Sequence, residues 1–273
     1  MKRIALFFAG AILSGAVLAG CSKKIEKGEF TIEKGKYKIG VSVDYPPFEY
    51  YAADGKTALG FDIDLGKEIA KRLGLGLTAE IIDTDWDGLL AGIDADRYDV
   101  IMSGMTITDE RKENYAFSIP YIGNGQAILL AKDSNLSVTK PEDLKNLKVG
   151  YQTQTTSDIF MQKLEKEKGI TYIHAEYDKA FNAFDDLRFG RIDAVVSDYL
   201  VAADYLGKTN SEYKLVWTGT SDEYMGICMK KDNTVLLEKV NSALEAMKSD
   251  GTLKKLYIDS FGIDLSDSIK SED

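Results

Sequence analysis

Arg111 closes the stretch Ser103-Gly104-Met105-Thr106-Ile107-Thr108-Asp109-Glu110-Arg111, in which Thr108 is a suitable N-cap and Asp109 and Glu110 open a helix. Acids suit the positive end of a helix dipole, whereas an arginine in that first turn does not. Two readings account for it. Either Arg111 pairs with a neighbouring acid on the surface, or its fork joins the hydroxyls and amides around Ser103, Gly104 and Thr106 in gripping one carboxylate bidentately. Hydroxyls on both sides of a glycine at a strand end favour the second reading.

Three further stretches carry groups of the same kind. Asp44-Tyr45-Pro46-Pro47-Phe48-Glu49-Tyr50 is a turn stiffened by two prolines, so an aromatic on it is held at low entropic cost. Tyr45 and Phe48 serve either as core or as walls for a ligand, and Trp86, behind Asp83, Thr84 and Asp85, is equally ambiguous. The polar run Gln152-Thr153-Gln154-Thr155-Thr156-Ser157 must cap a helix and leaves amides that suit an anion. Asp198, at the end of an apolar strand, either caps the next helix or holds an ammonium across a cleft.

Catalytic constellations are scarce. The one histidine, His174, sits in a strand-like apolar pattern and reads as structural. The sequence has no Walker loop, no metal spacing of histidines and no Gly-x-Ser-x-Gly elbow. Gly74-Leu75-Gly76-Leu77-Thr78-Ala79 fits a loose dinucleotide pattern, but it follows a helix and opens a strand, the wrong order for a cofactor loop. No cofactor and no metal are expected.

The elements that must position these groups alternate. Residues 37–43, 77–82 and 98–103 read as strands, with helices at 61–73 and 86–93. Residues 148–152, 171–174 and 192–197 repeat the rhythm as strands, with helices at 157–168 and 180–189. The chain Arg97-Tyr98-Asp99-Val100-Ile101-Met102-Ser103 echoes Arg191-Ile192-Asp193-Ala194-Val195-Val196-Ser197, which implies two α/β lobes of similar architecture. Apolar strands at 126–131 and 224–229 read as crossings between lobes, so the helical segment at 235–257, broken at Asp250-Gly251, returns to the first lobe. The first lobe then comprises residues 37–125 and 224–265, the second 126–223, and 266–273 is a tail.

At 273 residues, 44% hydrophobic and 29% charged, the chain is globular in composition. Residues 1–20 read as a signal peptide: Lys2 and Arg3, then an apolar run too short to span a bilayer, then Leu18-Ala19-Gly20-Cys21. That ending is similar to the lipobox of bacterial lipoproteins and implies cleavage before Cys21, lipidation of Cys21 and a tether over residues 21–36. Cys228 then has no disulfide partner and reads as a small buried hydrophobe. A formal charge of −10 excludes nucleic acid and a basic membrane-binding face as partners, leaving the lipid as the only attachment to the membrane.

Taken together, residues 39–262 resemble the bacterial extracellular solute-binding proteins (family 3) of polar amino acid ABC transporters. The stretches that carry the resemblance are Tyr45-Pro46-Pro47-Phe48, Gly60-Phe61-Asp62-Ile63-Asp64-Leu65, Trp86-Asp87-Gly88-Leu89, Ser103 to Arg111, Phe117-Ser118-Ile119-Pro120-Tyr121 and Asp250-Gly251-Thr252-Leu253. The resemblance implies a two-lobed type II periplasmic-binding-protein fold, two α/β lobes joined by two crossover strands, with a polar L-amino acid trapped between them. By that likeness Arg111 holds the ligand carboxylate beside Ser103, Gly104, Thr106 and the Thr156 amide, Asp198 holds the ammonium, and Tyr45 and Trp86 sandwich the side chain. Several relatives that bind basic amino acids or glutamine carry an acid three residues before the aromatic of the first loop, where this chain has Ser42. The end of the site that meets the ligand side chain is therefore open between basic, glutamine and cystine ligands, with Asp44, Glu49, Asp83 and Asp85 as compensating acids. The implied partner is an ABC permease, the implied state a monomer on the extracytoplasmic face of the membrane. The competing function is an enzyme on this scaffold, such as a cyclohexadienyl dehydratase-like elimination of arogenate or prephenate.

Overall fold

The computed structural model describes residues 27–208 and 210–270. The signal segment and Cys21 lie outside these residues.

Two five-stranded sheets form, one per lobe. In the first, Thr78–Asp83, Lys36–Val41 and Val100–Ile101 run parallel, and Cys228–Lys230 and Tyr115–Phe117 extend the edge antiparallel. In the second, Ile173–Tyr177, Lys148–Gln152 and Ala194–Asp198 run parallel, followed by antiparallel Gln126–Ala131 and Tyr213–Thr218. The echoed sequences occupy equivalent places. Asp99 donates its amide to the Lys38 carbonyl at 2.9 Å and accepts the Lys38 amide on its carboxylate at 2.7 Å. Asp193 does the same with Lys148, at 2.8 and 2.7 Å. In each lobe one acid thus pins the start of one parallel strand to its neighbour, a job for which backbone pairing alone is weak.

The chain passes between lobes on a two-stranded ladder, Ile122–Asn124 against Glu223–Met225. The crossing therefore precedes residues 126–131, which instead form an interior strand of the second sheet. The expected strand over 224–229 is likewise two pieces, Glu223–Met225 and Cys228–Lys230. It breaks at Gly226, whose amide turns aside to the Met105 carbonyl at 3.1 Å and where a Cβ would meet Ile107 at 2.7 Å.

The returning helices, Thr234–Ser249 and Thr252–Phe261, are separated at Gly251, which takes φ +82°. They seal the first lobe through an aromatic cluster. Phe61, at the start of helix Phe61–Arg72, stacks on Tyr257 at 5.5 Å and lies 5.2 Å from Phe261, and Phe48 meets Phe261 at 5.3 Å. Phe48 is thus core, and its burial anchors the Tyr45 turn. Helix 86–93 begins as a 3-10 turn, Trp86–Gly88, before Leu89–Asp94. Cys228 is buried, and burial pushes its thiol up to about 12.

Two boundaries move. Residues 28–36 do not all behave as a tether: Phe30 and Thr31 are buried, the Phe30 carbonyl accepts from Asn233 Nδ2 at 3.1 Å, and the Ile32 amide donates to Asp99 at 2.6 Å. An apolar ring beside a sheet edge is better buried than hydrated, and it carries its neighbours with it. At the other end Ser266–Ser268 is a 3-10 turn docked on the crossing, with Ser268 Oγ accepting the Gly123 amide at 2.9 Å. His174 is not inside a sealed strand. It lies exposed on the second lobe, 4.4 Å from the Tyr172 ring and 2.7 Å from the Tyr151 hydroxyl, with Glu165 at 3.3 Å. Phe30→Ala should lower unfolding stability by about 3 kcal/mol, read as a shift in the urea midpoint at constant slope; an unmoved midpoint would return residues 28–36 to the tether.

Candidate functional site

Thr108 caps helix Asp109–Asn114, its Oγ1 accepting the Arg111 amide at 3.2 Å. The neighbouring acid does not take the Arg111 side chain, because Asp109 pairs with Lys112 at 2.7 Å. Instead the guanidinium turns into the cleft. Nη1 donates to the Thr106 carbonyl at 2.7 Å, Nη2 reaches the Gln154 carbonyl of the second lobe at 3.2 Å, and the Trp86 ring lies 5.4 Å away. Among the described residues no carboxylate forms an ion pair with it. Burial pulls its pKa down, the mark of a cation held without a counter-ion.

Asp198 stands opposite. It occupies the N-cap of helix Tyr199–Gly207 but makes no side-chain cap bond. Its Oδ2 accepts the Tyr45 hydroxyl at 2.7 Å and its Oδ1 accepts Gln126 Nε2 at 3.1 Å. Burial, with Glu223 nearby, pushes its pKa up to about 7 against the opposing pull of the Tyr45 and Gln126 bonds and of Arg111. Here too no cation forms an ion pair among the described residues. Tyr45 spans the cleft, its ring on the first lobe and its hydroxyl on the second. Trp86 does likewise, with Nε1 3.3 Å from the Gln154 carbonyl.

A narrow cleft lies between these groups. From the first lobe Ser42, Tyr45, Trp86, Ser103, Gly104, Thr106 and Arg111 line it. From the second come Thr156 and Asp198, joined by Gln152 and Thr155. All nine residues singled out in the sequence therefore share one cavity. Their expected roles divide, however. The Gly104 amide is already committed to Asp62 Oδ2 at 2.7 Å, and the Ser103 hydroxyl donates to Glu49 Oε1 at 2.7 Å while accepting the Ser42 amide at 3.0 Å. These two build the floor and have no donor left for a carboxylate. Gly104 matters for another reason: at φ +52° a Cβ there would press on the Tyr45 ring at 3.2 Å. Thr155 caps helix Thr156–Lys168, accepting the Asp158 amide at 3.4 Å, and leaves Thr156 in the first turn facing the cleft.

Beneath the floor lies a pair that sequence reasoning missed. Glu49 and Asp62 are both fully buried, and Asp62 also accepts the Tyr121 hydroxyl at 3.2 Å. Burial and the charge on Asp62 push Glu49 well above the usual carboxylate range, so Glu49 keeps its proton and shares it with Asp62. Nothing local flagged this. Asp62 reads as an ordinary acid in a first helical turn, and its partner is known only once the Pro46-Pro47 turn lies over the helix. Of the four candidate acids, Asp44 and Glu49 face the cavity. Asp83 is taken by the Tyr51 hydroxyl at 2.7 Å and Asp85 by Lys179 at 3.2 Å.

Residues 37–263 match the bacterial extracellular solute-binding proteins, family 3. The chain belongs to that family. It is 35% identical over 259 residues to the L-cystine-binding protein TcyJ of Escherichia coli (strain K12), covering 93% of this chain and 95% of that one. It is 36% identical over 226 residues to the ABC transporter arginine-binding protein 1 of the same strain, covering 81% and 88%. Among solved structures it is similar to an ancestral arginine-binding protein bound to arginine, with TM-score 0.77 and 41% identity over 84% of this chain and 99% of that one. The fold is the two-lobed type II periplasmic-binding-protein fold. This solute-binding protein is an extracytoplasmic amino-acid-binding component of an ABC import system, and the relatives named above are binding proteins, so the elimination enzyme is not better supported.

The buried acids have a thermodynamic consequence. Burial raises Asp44 and Asp99 to about 6 and Asp198 to about 7. Each keeps its proton in the folded chain where the unfolded chain, with its acids near about 4, has lost it, so stability falls as pH rises through that window. Thermal unfolding of the ligand-free protein should therefore show a lower midpoint at about pH 7.5 than at about pH 5; a midpoint that rises or stays level would mean these acids ionise freely.

Proposed function

We propose that this protein binds one polar L-amino acid as its zwitterion in the cleft, and that the bound ligand holds the two lobes together. The carrying observation is the pair of opposite charges, Arg111 on the first lobe and Asp198 on the second, each lining the same cavity without a counter-ion among the described residues. In this reading the ligand carboxylate meets the Arg111 fork and the helix start at Thr156, and its ammonium meets Asp198. Thr106 stands beside the carboxylate, Ser103 and Gly104 support it from below, and Tyr45 and Trp86 flank the side chain.

Closure follows from where the charges sit. An open cleft offers the zwitterion one partner at a time, whereas the closed one offers both, so the ligand has higher affinity for the closed form and shifts the equilibrium towards it. The closed protein then delivers its ligand to an ABC permease, as a monomer attached to the extracytoplasmic face of the membrane by lipid on Cys21. Glutamine, cystine and the basic amino acids are the candidate ligands; the similarity to a cystine-binding and an arginine-binding protein supports both kinds.

The test is thermal unfolding of protein refolded to remove bound ligand, against the twenty amino acids and cystine. A ligand at about a thousand times its dissociation constant should add about 4 kcal/mol and raise the midpoint by on the order of 8 °C. One amino acid, or a small related set, should give the shift and Arg111→Ala should abolish it; an equal shift in Arg111→Ala would contradict the assignment of the carboxylate.

A further inference from the structure

We propose that Glu223, on the crossing ladder, is a positioning residue for the ammonium end of the cleft, acting on Asp198 through the side-chain amide of Gln126. The inference rests on the proposed zwitterion site. Glu223 pairs with Asn124 across the ladder, and Gln126 stands directly opposite Asp198 where the second sheet begins. The Gln126 side chain is buried and lies between the two acids. Its Nε2 donates to Glu223 at 2.9 Å to Oε1 and 3.0 Å to Oε2, and to Asp198 Oδ1 at 3.1 Å, with Thr156 Oγ1 at 3.2 Å. Carboxylates only accept, so they turn the nitrogen of this amide towards themselves. The Ser157 hydroxyl completes the hold by donating to Gln126 Oε1 at 2.7 Å.

That nitrogen has two hydrogens for four acceptor oxygens, and it is uncharged. It joins the acids without neutralising them. Among the described residues no cation forms an ion pair with Glu223, and the outer groove that Glu223 lines carries Asp109, Glu110 and Asp222 besides Lys163. The other groups that act on the two acids are Arg111, which favours the charged form of both, the Tyr45 hydroxyl on Asp198, and Thr156 and Asp222 on Glu223. Burial raises Glu223 against the hydrogen bonds from Gln126 and Thr156. Like charges on either side of one amide repel, so the proton that burial leaves on Asp198 is held to higher pH while Glu223 is ionised.

Two consequences for the ligand follow. Gln126, fixed by Glu223, holds Asp198 Oδ1 while Tyr45 holds Oδ2, which leaves the carboxylate one orientation towards an arriving ammonium. The charge on Glu223 meanwhile keeps a proton on the empty Asp198, and the ammonium must displace it. Binding therefore releases that proton to solvent, and affinity rises with pH up to about 7. Asp44, in the same cavity, is also raised to about 6 by burial. The part due to Glu223 is therefore the difference between wild type and variant.

The carboxyl titration of Asp198 in refolded, ligand-free protein, followed by carbon-13 NMR and assigned by its loss in Asp198→Asn, tests the link directly. Glu223→Gln should lower its midpoint by about one pH unit or more, and Glu223→Asp, which keeps the charge, should return most of that shift. An unmoved midpoint in Glu223→Gln would overturn the inference; Glu223→Ala carries the same expectation should Glu223→Gln fold poorly. Calorimetric titration with arginine, lysine, glutamine and cystine at about pH 5 and about pH 7, a range in which their own α-carboxylates and ammonium groups stay charged, reads the consequence. For whichever of them binds, the rise in affinity across that range should be about tenfold smaller in Glu223→Gln than in the wild type; an equal rise would overturn the inference while leaving the zwitterion site standing. A shifted Asp198 midpoint with none of the four bound would uphold the link between the acids and count against the zwitterion site.

Discussion

The half-buried Arg111 and the buried Asp198, neither in an ion pair among the described residues, organise this molecule. Arg111 and Asp198 face one cleft from different lobes, and each is desolvated without an ion pair. Leaving a charge in that condition is destabilising unless something completes it, although the surface pairs other arginines and aspartates, as in Arg72–Asp250 and Arg191–Asp186. The condition makes sense where the completing group arrives from solution. The two-lobed architecture then follows as the means of placing the charges on bodies that can separate: two similar sheets, one short crossing ladder, and a discontinuous first lobe closed by the returning helices.

The rest of the cleft keeps those charges in register. Phe48 locks the Tyr45 turn into the aromatic core, so the Tyr45 hydroxyl arrives at Asp198 from a fixed base. The Glu49–Asp62 pair holds the Ser103-Gly104 floor from below, with a proton in place of a salt bridge. Gly104 lets Tyr45 lie close over that floor. Each device spends polar groups on internal bonds, which is why the number of donors left for a ligand is small and the site is read from its charges rather than its hydroxyls.

Much of this was legible in the sequence, for reasons that differ by element. The parallel strands and amphipathic helices announce themselves by period, and the break at Gly251 by its residue type. Arg111 was legible because a cation in a first helical turn contradicts local electrostatics, and Asp198 because an acid ended an apolar strand. The crossing ladder was misplaced because Gln126–Ala131 is as apolar as any crossing would be; burial inside a sheet and passage between lobes leave the same composition. The Glu49–Asp62 pair and the occupied Gly104 amide were illegible because they depend on contacts between segments, and a first-turn aspartate has an adequate local explanation. Phe30 was overlooked for a related reason: one ring in a polar stretch has no periodicity to report.

The central claim is that a zwitterion closes the cleft by bridging the lobes. Small-angle scattering of refolded protein, without ligand and then at saturation with the amino acid that raises its unfolding midpoint, tests it most directly. The account predicts a smaller radius of gyration in the saturated protein, and no such compaction in Arg111→Ala. An unchanged radius on saturation of the wild-type protein would contradict it, leaving a cleft that binds without closing.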